Sequence, residues 1–352
     1  MNMLITINSI LHMVTDGICA FAMLGYFERA DDGYFYILIY NFCAFALQMP
    51  FGFVLDLLQQ KSHNKMLPYY ITLMGVIFTV VGVWTHPVIL GVGNALFHVG
   101  AGVCTIYEDN AENKKGKLLG IFVAPGALGL FLGKKCGKLY SVFEPAACAV
   151  IIVVTAFLAL YLYKAYRVDR IGQWRFEERK DVENMDYAKA VILLLCFMVV
   201  ILRSHVSMAV PFGIEAGATF GALLVVATVL GKMAGGFAGA LLGSAKTVLL
   251  SLVAAAVCFA FKDVKILLLA AVFLFNMTMP ITLYELVCLF KGFEGGMFGL
   301  LTFGLFIGFL PTYLNTATCR SGSAAAIESI VSMMLLLAAL YVRKRPKERS
   351  MN

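Results

Sequence analysis

Charge is scarce along this chain. Asp, Glu, Lys and Arg make up only 14% of its 352 residues, against about 25% in an average soluble domain. Together with 61% hydrophobic residues and a mean hydropathy of +0.85, that scarcity excludes a soluble globular protein and implies a polytopic membrane protein. Other absences narrow the chemistry. The nine cysteines contain no C-x-x-C pair and are scattered, mostly in apolar runs. They read as small buried residues, neither disulfides nor a zinc site. The glycine-rich stretch GKMAGGFAGALLG (231–243) lacks the G-x-x-x-x-G-K-S/T of a phosphate loop, so no ATP-driven pump is implied. H-E-x-x-H and G-x-S-x-G are also missing, so no enzyme is expected and no cofactor is implied. The first apolar run is no signal peptide: it is too long, lacks a basic start, contains Asp16 and precedes more runs of its kind.

A helix crosses a bilayer with about 20 mostly apolar residues. Twelve such segments are present, near 3–27, 34–58, 68–86, 87–107, 117–134, 144–164, 188–209, 216–242, 245–261, 264–290, 296–314 and 324–343. Segments three and four meet at Thr85-His86-Pro87, read as a tight turn with proline opening the next helix. The longest polar stretch, 165–187, separates an N-terminal six-helix bundle (1–164) from a C-terminal one (188–352). The expected fold is therefore all-α, with twelve transmembrane helices in two pseudo-symmetric halves.

Orientation follows from Lys and Arg, which accumulate on cytoplasmic loops. With both termini inside, cytoplasmic stretches hold 19 basic residues and external ones hold 7, although Lys134, Lys135 and Lys138 run against the trend. The net charge of +7 is thus mainly topology. Nucleic-acid binding would need a basic surface face and is not expected. The chain reads as a monomer in the cell membrane, in contact with lipid.

The halves carry matching motifs. GFVLDLL (52–58) pairs with GFAGALL (236–242), TIYE (105–108) with TLYE (282–285), and Gly120/Gly129 with Gly299/Gly308. The offsets of 184, 177 and 179 residues keep chain order. Such repetition argues for an internal duplication of a six-helix unit, one route to a transporter with its site between repeats.

On these residues the sequence resembles the major facilitator superfamily. GFVLDLLQQKSHNK (52–65) stands where that family has a Gly–Asp–basic loop between helices two and three, matched by Gly52, Asp56 and Lys61. GIFVAPGALG (120–129) is similar to the helix-five antiporter signature, matched at Gly120, Pro125 and Gly129, with Ala124 where the signature has glycine. GNALFHVGAG (93–102) is similar to helix four of fosmidomycin-resistance-type exporters, and Asn94 and His98 occupy the region where drug–proton antiporters carry an arginine. The resemblance implies alternating access around a cavity lined by helices one, four, seven and ten. It also implies a gate at Gly52, Asp56 and Lys61.

Charged groups at mid-bilayer are the remaining signal, because each costs about 2.5–3.5 kcal/mol on insertion scales and asks for a partner or a purpose. Asp16 lies roughly 20 Å into segment one, with His12 one turn earlier on the same face. His98 lies about 17 Å beyond Pro87, and its repeat counterpart is Asn276. Segment seven adds Arg203, able to attract an anionic group, and His205. We therefore expect proton coupling or substrate binding at His12, Asp16, His98, Arg203, His205 and Asn276. The repeat-related Glu108 and Glu285, at helix ends, join the expected gate. Pro125 removes a backbone donor and is expected to kink segment five. The leading expectation is a secondary active transporter exporting a small molecule against protons. The alternative is a divalent metal ion transporter using His12, Asp16 and a further membrane histidine, since imidazole and carboxylate suit such ions.

Overall fold

A computed structural model describes residues 3–139, 187–212, 218–316 and 321–344. Among the described residues, fourteen α-helices follow one another: α1 (Met3–Gly25), α2 (Gly33–Asn41), α3 (Gln48–Ser62), α4 (Leu67–Trp84), α5 (Pro87–Ala111), α6 (Lys117–Val123), α7 (Gly126–Lys138), α8 (Tyr187–Phe212), α9 (Ala218–Leu242), α10 (Ser244–Ala260), α11 (Lys265–Asn276), α12 (Thr278–Leu289), α13 (Glu294–Tyr313) and α14 (Gly322–Lys344). Ten spans among them are long and apolar enough to cross a membrane, and the apolar helix α10 is shorter. These match eleven of the twelve expected segments. The sixth, near 144–164, and nearly all of the 165–187 linker lie outside the described residues.

Local chemistry accounts for the breaks. His86 caps α5 by accepting a hydrogen bond from the Val88 N–H at its Nδ1, and Pro87 opens the helix as expected. The expected segment 34–58 is one span containing a π turn at Phe42–Ala46 between α2 and α3. Segment five breaks at Ala124-Pro125 into α6 and α7. Segment ten breaks after Asn276, where Pro280 offers no N–H four residues on. A single glycine, Gly243 at φ +88°, turns the chain from α9 into α10, a conformation that side chains resist.

By contact, the chain divides into two compact units. Unit 1 comprises residues 1–114, 121–176 and 293–299; unit 2 comprises 115–120, 177–292 and 300–352. In lipid, helices associate through small residues that let backbones touch. In unit 1, Gly75, Gly82, Gly93 and Gly100 bring α4 and α5 to backbone contact, and Gly17, Gly129 and Gly133 do the same for α1 and α7. The most enclosed span is α5. In unit 2, Gly308 lies against the backbone of Ile201, and Gly231 and Gly235 against Phe273 and Met277.

The duplicated glycines make equivalent contacts. Gly129 meets segment one at Met13, and Gly308 meets segment seven at Ile201. Gly120 meets segment eight at Gly236 within unit 2, while Gly299 meets segment two at Gln48 within unit 1.

Candidate functional site: a buried histidine–aspartate–histidine triad

In unit 1, three of the expected residues converge. His12 and Asp16 stand one turn apart on α1, and His98 reaches them from α5; all three are buried. His12 Nε2 lies 3.2 Å from Asp16 Oδ2, His98 Nε2 lies 3.5 Å from Asp16 Oδ1, and the two Nε2 atoms are 3.0 Å apart. These atoms could together hold a metal ion.

The backbone fixes which nitrogen faces the centre. Pro125 has no N–H, so the Ile121 carbonyl loses its partner four residues on and accepts from Ser9 Oγ at 3.3 Å instead. The next carbonyl, that of Phe122, accepts from His12 Nδ1 at 2.7 Å. On α5, the carbonyl of Asn94 accepts from His98 Nδ1 at 2.9 Å. A carbonyl cannot donate, so each Nδ1 carries a hydrogen and each Nε2 of the neutral rings turns a lone pair inward. The triad is therefore two acceptor nitrogens and a carboxylate around one point.

Asn94 serves the triad twice. Its carbonyl holds His98, and its Nδ2 donates to Asp16 Oδ1 at 3.1 Å. The expected site omitted Asn94 as a member; its signal was the four-residue spacing to His98, which puts both on one helix face. Gly126 is the second omission. A Cβ there would collide with His12 Nε2 and Asp16 Oδ2, so only glycine lets the α7 backbone approach the triad this closely. Phe97 and Phe122 pack against the imidazoles.

The remaining expected site residues belong to unit 2. His205 Nδ1 lies 3.0 Å from both carboxylate oxygens of Glu328 on α14, and its Nε2 has no partner among the described residues. Glu328 had no assigned role in the sequence: a lone carboxylate near a segment end does not point to a partner 123 residues away. Arg203 is buried, and its Nη1 lacks a hydrogen-bond partner among the described residues. Asn276 donates to the Val272 carbonyl at 2.8 Å, beside the break in segment ten.

The expected gate residues are placed as follows. Asp56 is buried in α3 and accepts from the N–H groups of Gly295 and Gly296, at 2.9 and 2.7 Å, capping the first turn of α13. Gly52 permits this, because a Cβ would strike the Gly295 carbonyl. Lys61 is exposed in the last turn of α3. Glu108 is buried near the end of α5. In unit 2, Glu285 accepts from Ser244 Oγ and pairs with Arg343 of α14.

No protein-family model and no curated protein matches the chain. Solved structures do. A crystal structure of the E. coli fucose:proton symporter FucP aligns over 96% of this chain and 98% of its own, with 13% identity and a TM-score of 0.64. FucP in the outward conformation, described as a major facilitator superfamily transporter, covers the same shares at 13% identity and TM-score 0.60. A bacterial homologue of the iron transporter ferroportin, in an outward-facing state, aligns at 12% identity and TM-score 0.59, with the same coverage. At such identities the likeness shows the fold alone, shared with these solved structures over nearly the full chain.

Proposed function

We propose that this protein is a secondary active transporter of the cell membrane, an alternating-access carrier that moves a small solute in exchange for protons. One observation carries the reading: both imidazoles of the triad have Nδ1–H committed to carbonyls, leaving two lone pairs and a carboxylate converging within 3.5 Å. Two acceptor nitrogens at 3.0 Å repel unless a proton lies between them. With one proton added, Asp16 and an imidazolium make a neutral group; without it, a bare negative charge sits in a setting where charge is costly. The site is thus built to gain and lose a proton, and a carrier is the fold in which such a group has work to do.

In this reading the cargo leaves the cell as protons enter, both termini are cytoplasmic and the protein acts as a monomer. The resemblance to exporters at residues 93–102 and 120–129 favours that direction. Arg203, His205 and Asn276 are assigned to substrate binding in the other half. Asp56 and Gly52 form a gate contact at the first turn of α13, with Lys61 assigned to the same gate from the end of α3, and Glu285 with Arg343 forms another; each is made in one state of the cycle and released in the other. Glu108, the repeat counterpart of Glu285, shares that role.

Proteoliposomes loaded with pyranine and challenged with a panel of sugars, organic anions and metal chlorides test the proposal. At least one solute should drive proton movement in wild-type vesicles, and Asp16→Asn should abolish it. A panel without proton movement, or an Asp16→Asn carrier that couples as well as wild type, would sink the reading.

A further inference from the structure

We propose that His12, Asp16 and His98 form a three-ligand site for a divalent first-row transition metal ion, the cargo of the transporter proposed above. The cargo assignment rests on that reading; the binding site does not.

Ligand spacing is the first support. Bonds of about 2.1 Å to nitrogen and oxygen place neighbouring ligand atoms about 3.0 Å apart at right angles and about 3.4 Å apart at tetrahedral angles. The recorded separations are 3.0 Å between the nitrogens, 3.2 Å from His12 to the carboxylate and 3.5 Å from His98. The two carboxylate contacts use different oxygens, and with one ligand atom from each residue the three lie within 4.8 Å of one another, near enough for a single ion to draw them in.

The outer hydrogen bonds are the second support. Metal-binding histidines donate their other ring N–H to a carbonyl or carboxylate, which fixes the tautomer and aims the lone pair, and ligating carboxylates are themselves hydrogen-bonded. Here Phe122 and Asn94 supply the carbonyls, and the Asn94 amide donates to Asp16.

Coordination number is the third. Three protein ligands leave positions for water or a further group, and Gly126 lets the α7 backbone pack beside His12 Nε2 and Asp16 Oδ2, where a Cβ would collide. The donor set defines the class. Two imidazoles and one carboxylate suit zinc, iron, nickel, cobalt and manganese, whereas calcium and magnesium take oxygen ligands. Binding uses the deprotonated forms: one divalent ion takes the two inward lone pairs and the carboxylate.

CoCl2 titrated into the purified full-length protein in detergent tests the site, read as visible absorption of the bound ion. Saturable binding of one ion per chain is expected. Asn94→Ala should weaken it roughly 10–100-fold, the usual effect of removing an outer-layer partner. Gly126→Ala should block it with every ligand retained, and Gly221→Ala, whose Cβ meets nothing within 4 Å, should leave it unchanged. X-ray absorption of the zinc-loaded wild type keeps the test independent of variants: two imidazoles and one carboxylate support the site, and sulfur ligation overturns it. Absence of saturable binding, or equal binding in Gly126→Ala, also overturns it. In calcein-loaded vesicles, Co2+ that binds but never enters overturns the cargo role alone. Proton coupling through Asp16 that persists without metal binding overturns the metal assignment and leaves the transporter reading standing.

Discussion

The Nε2 atoms of His12 and His98 face each other at 3.0 Å, each on a ring whose Nδ1–H is held by a carbonyl. The arrangement is decided by backbone as much as by side chains. One of those carbonyls, that of Phe122, sits at the proline break between α6 and α7, and the other belongs to Asn94, one turn before His98.

Pro125→Ala should uncouple the site without unfolding the protein. Alanine returns the N–H that the Ile121 carbonyl lacks, so α6 and α7 can join and the carbonyls taken by Ser9 and His12 revert to the helix. Proton movement in proteoliposomes should fall roughly 10–100-fold, as for loss of an outer-layer partner, with the thermal midpoint held or raised. A folded variant with wild-type coupling would show that the break does not orient His12.

Asp56→Ala should lower the thermal midpoint more than Asp56→Asn. Alanine strands the N–H groups of Gly295 and Gly296, at about 1–3 kcal/mol for each buried donor left unpaired. Asparagine keeps one acceptor oxygen, so it strands only one of the two N–H groups and loses the charge that favours a helix N-terminus. Melting curves of the two variants in detergent check this, and equal shifts would contradict the capping role.

Gly129→Ala and Gly221→Ala should move stability in opposite directions. A Cβ on Gly129 runs into the Met13 carbonyl, whereas one on Gly221 meets nothing within 4 Å. Overpacking costs about 1–3 kcal/mol, while replacing an unhindered helical glycine gains about 0.5–1 kcal/mol. Midpoints that shift the same way would show that α1 and α7 can move apart freely.

His205→Leu should destabilise the protein more than His205→Leu combined with Glu328→Leu. The single change leaves the Glu328 carboxylate without its imidazole, and the double change removes both polar groups of the pair. The pair is part-buried, so the single change should cost less than the about 3–5 kcal/mol of a fully buried pair, while replacing both partners by apolar groups is often close to neutral. A double-variant cycle measured by thermal unfolding gives the coupling; additive losses would mean that the pair has no mutual dependence.

Much of the architecture was legible because lipid allows so few solutions. Apolar runs must become helices, and eleven expected segments coincide with helices. Asp16 stood out for the same reason: a carboxylate deep in an apolar run needs company, and His12 one turn away supplied half of it. His98 was visible as a second polar group in segment four. The helix breaks were partly legible, since Pro125 announces one, while the π turn at Phe42–Ala46 has no such marker in the chain.

What the sequence determined by itself, among the described residues, is eleven apolar helices and the polar residues they carry inward, because hydropathy and local spacing act within one segment. Only the tertiary structure decided which of those residues meet. It brought His98 of α5 to His12 and Asp16 of α1, turned both Nδ1 atoms away toward carbonyls, and revealed Asn94, Gly126 and Glu328 as partners. Such meetings depend on backbone contacts at glycines such as Gly17 and Gly129, which set helix rotation and separation between residues more than 100 positions apart. No periodicity within a single helix encodes that geometry.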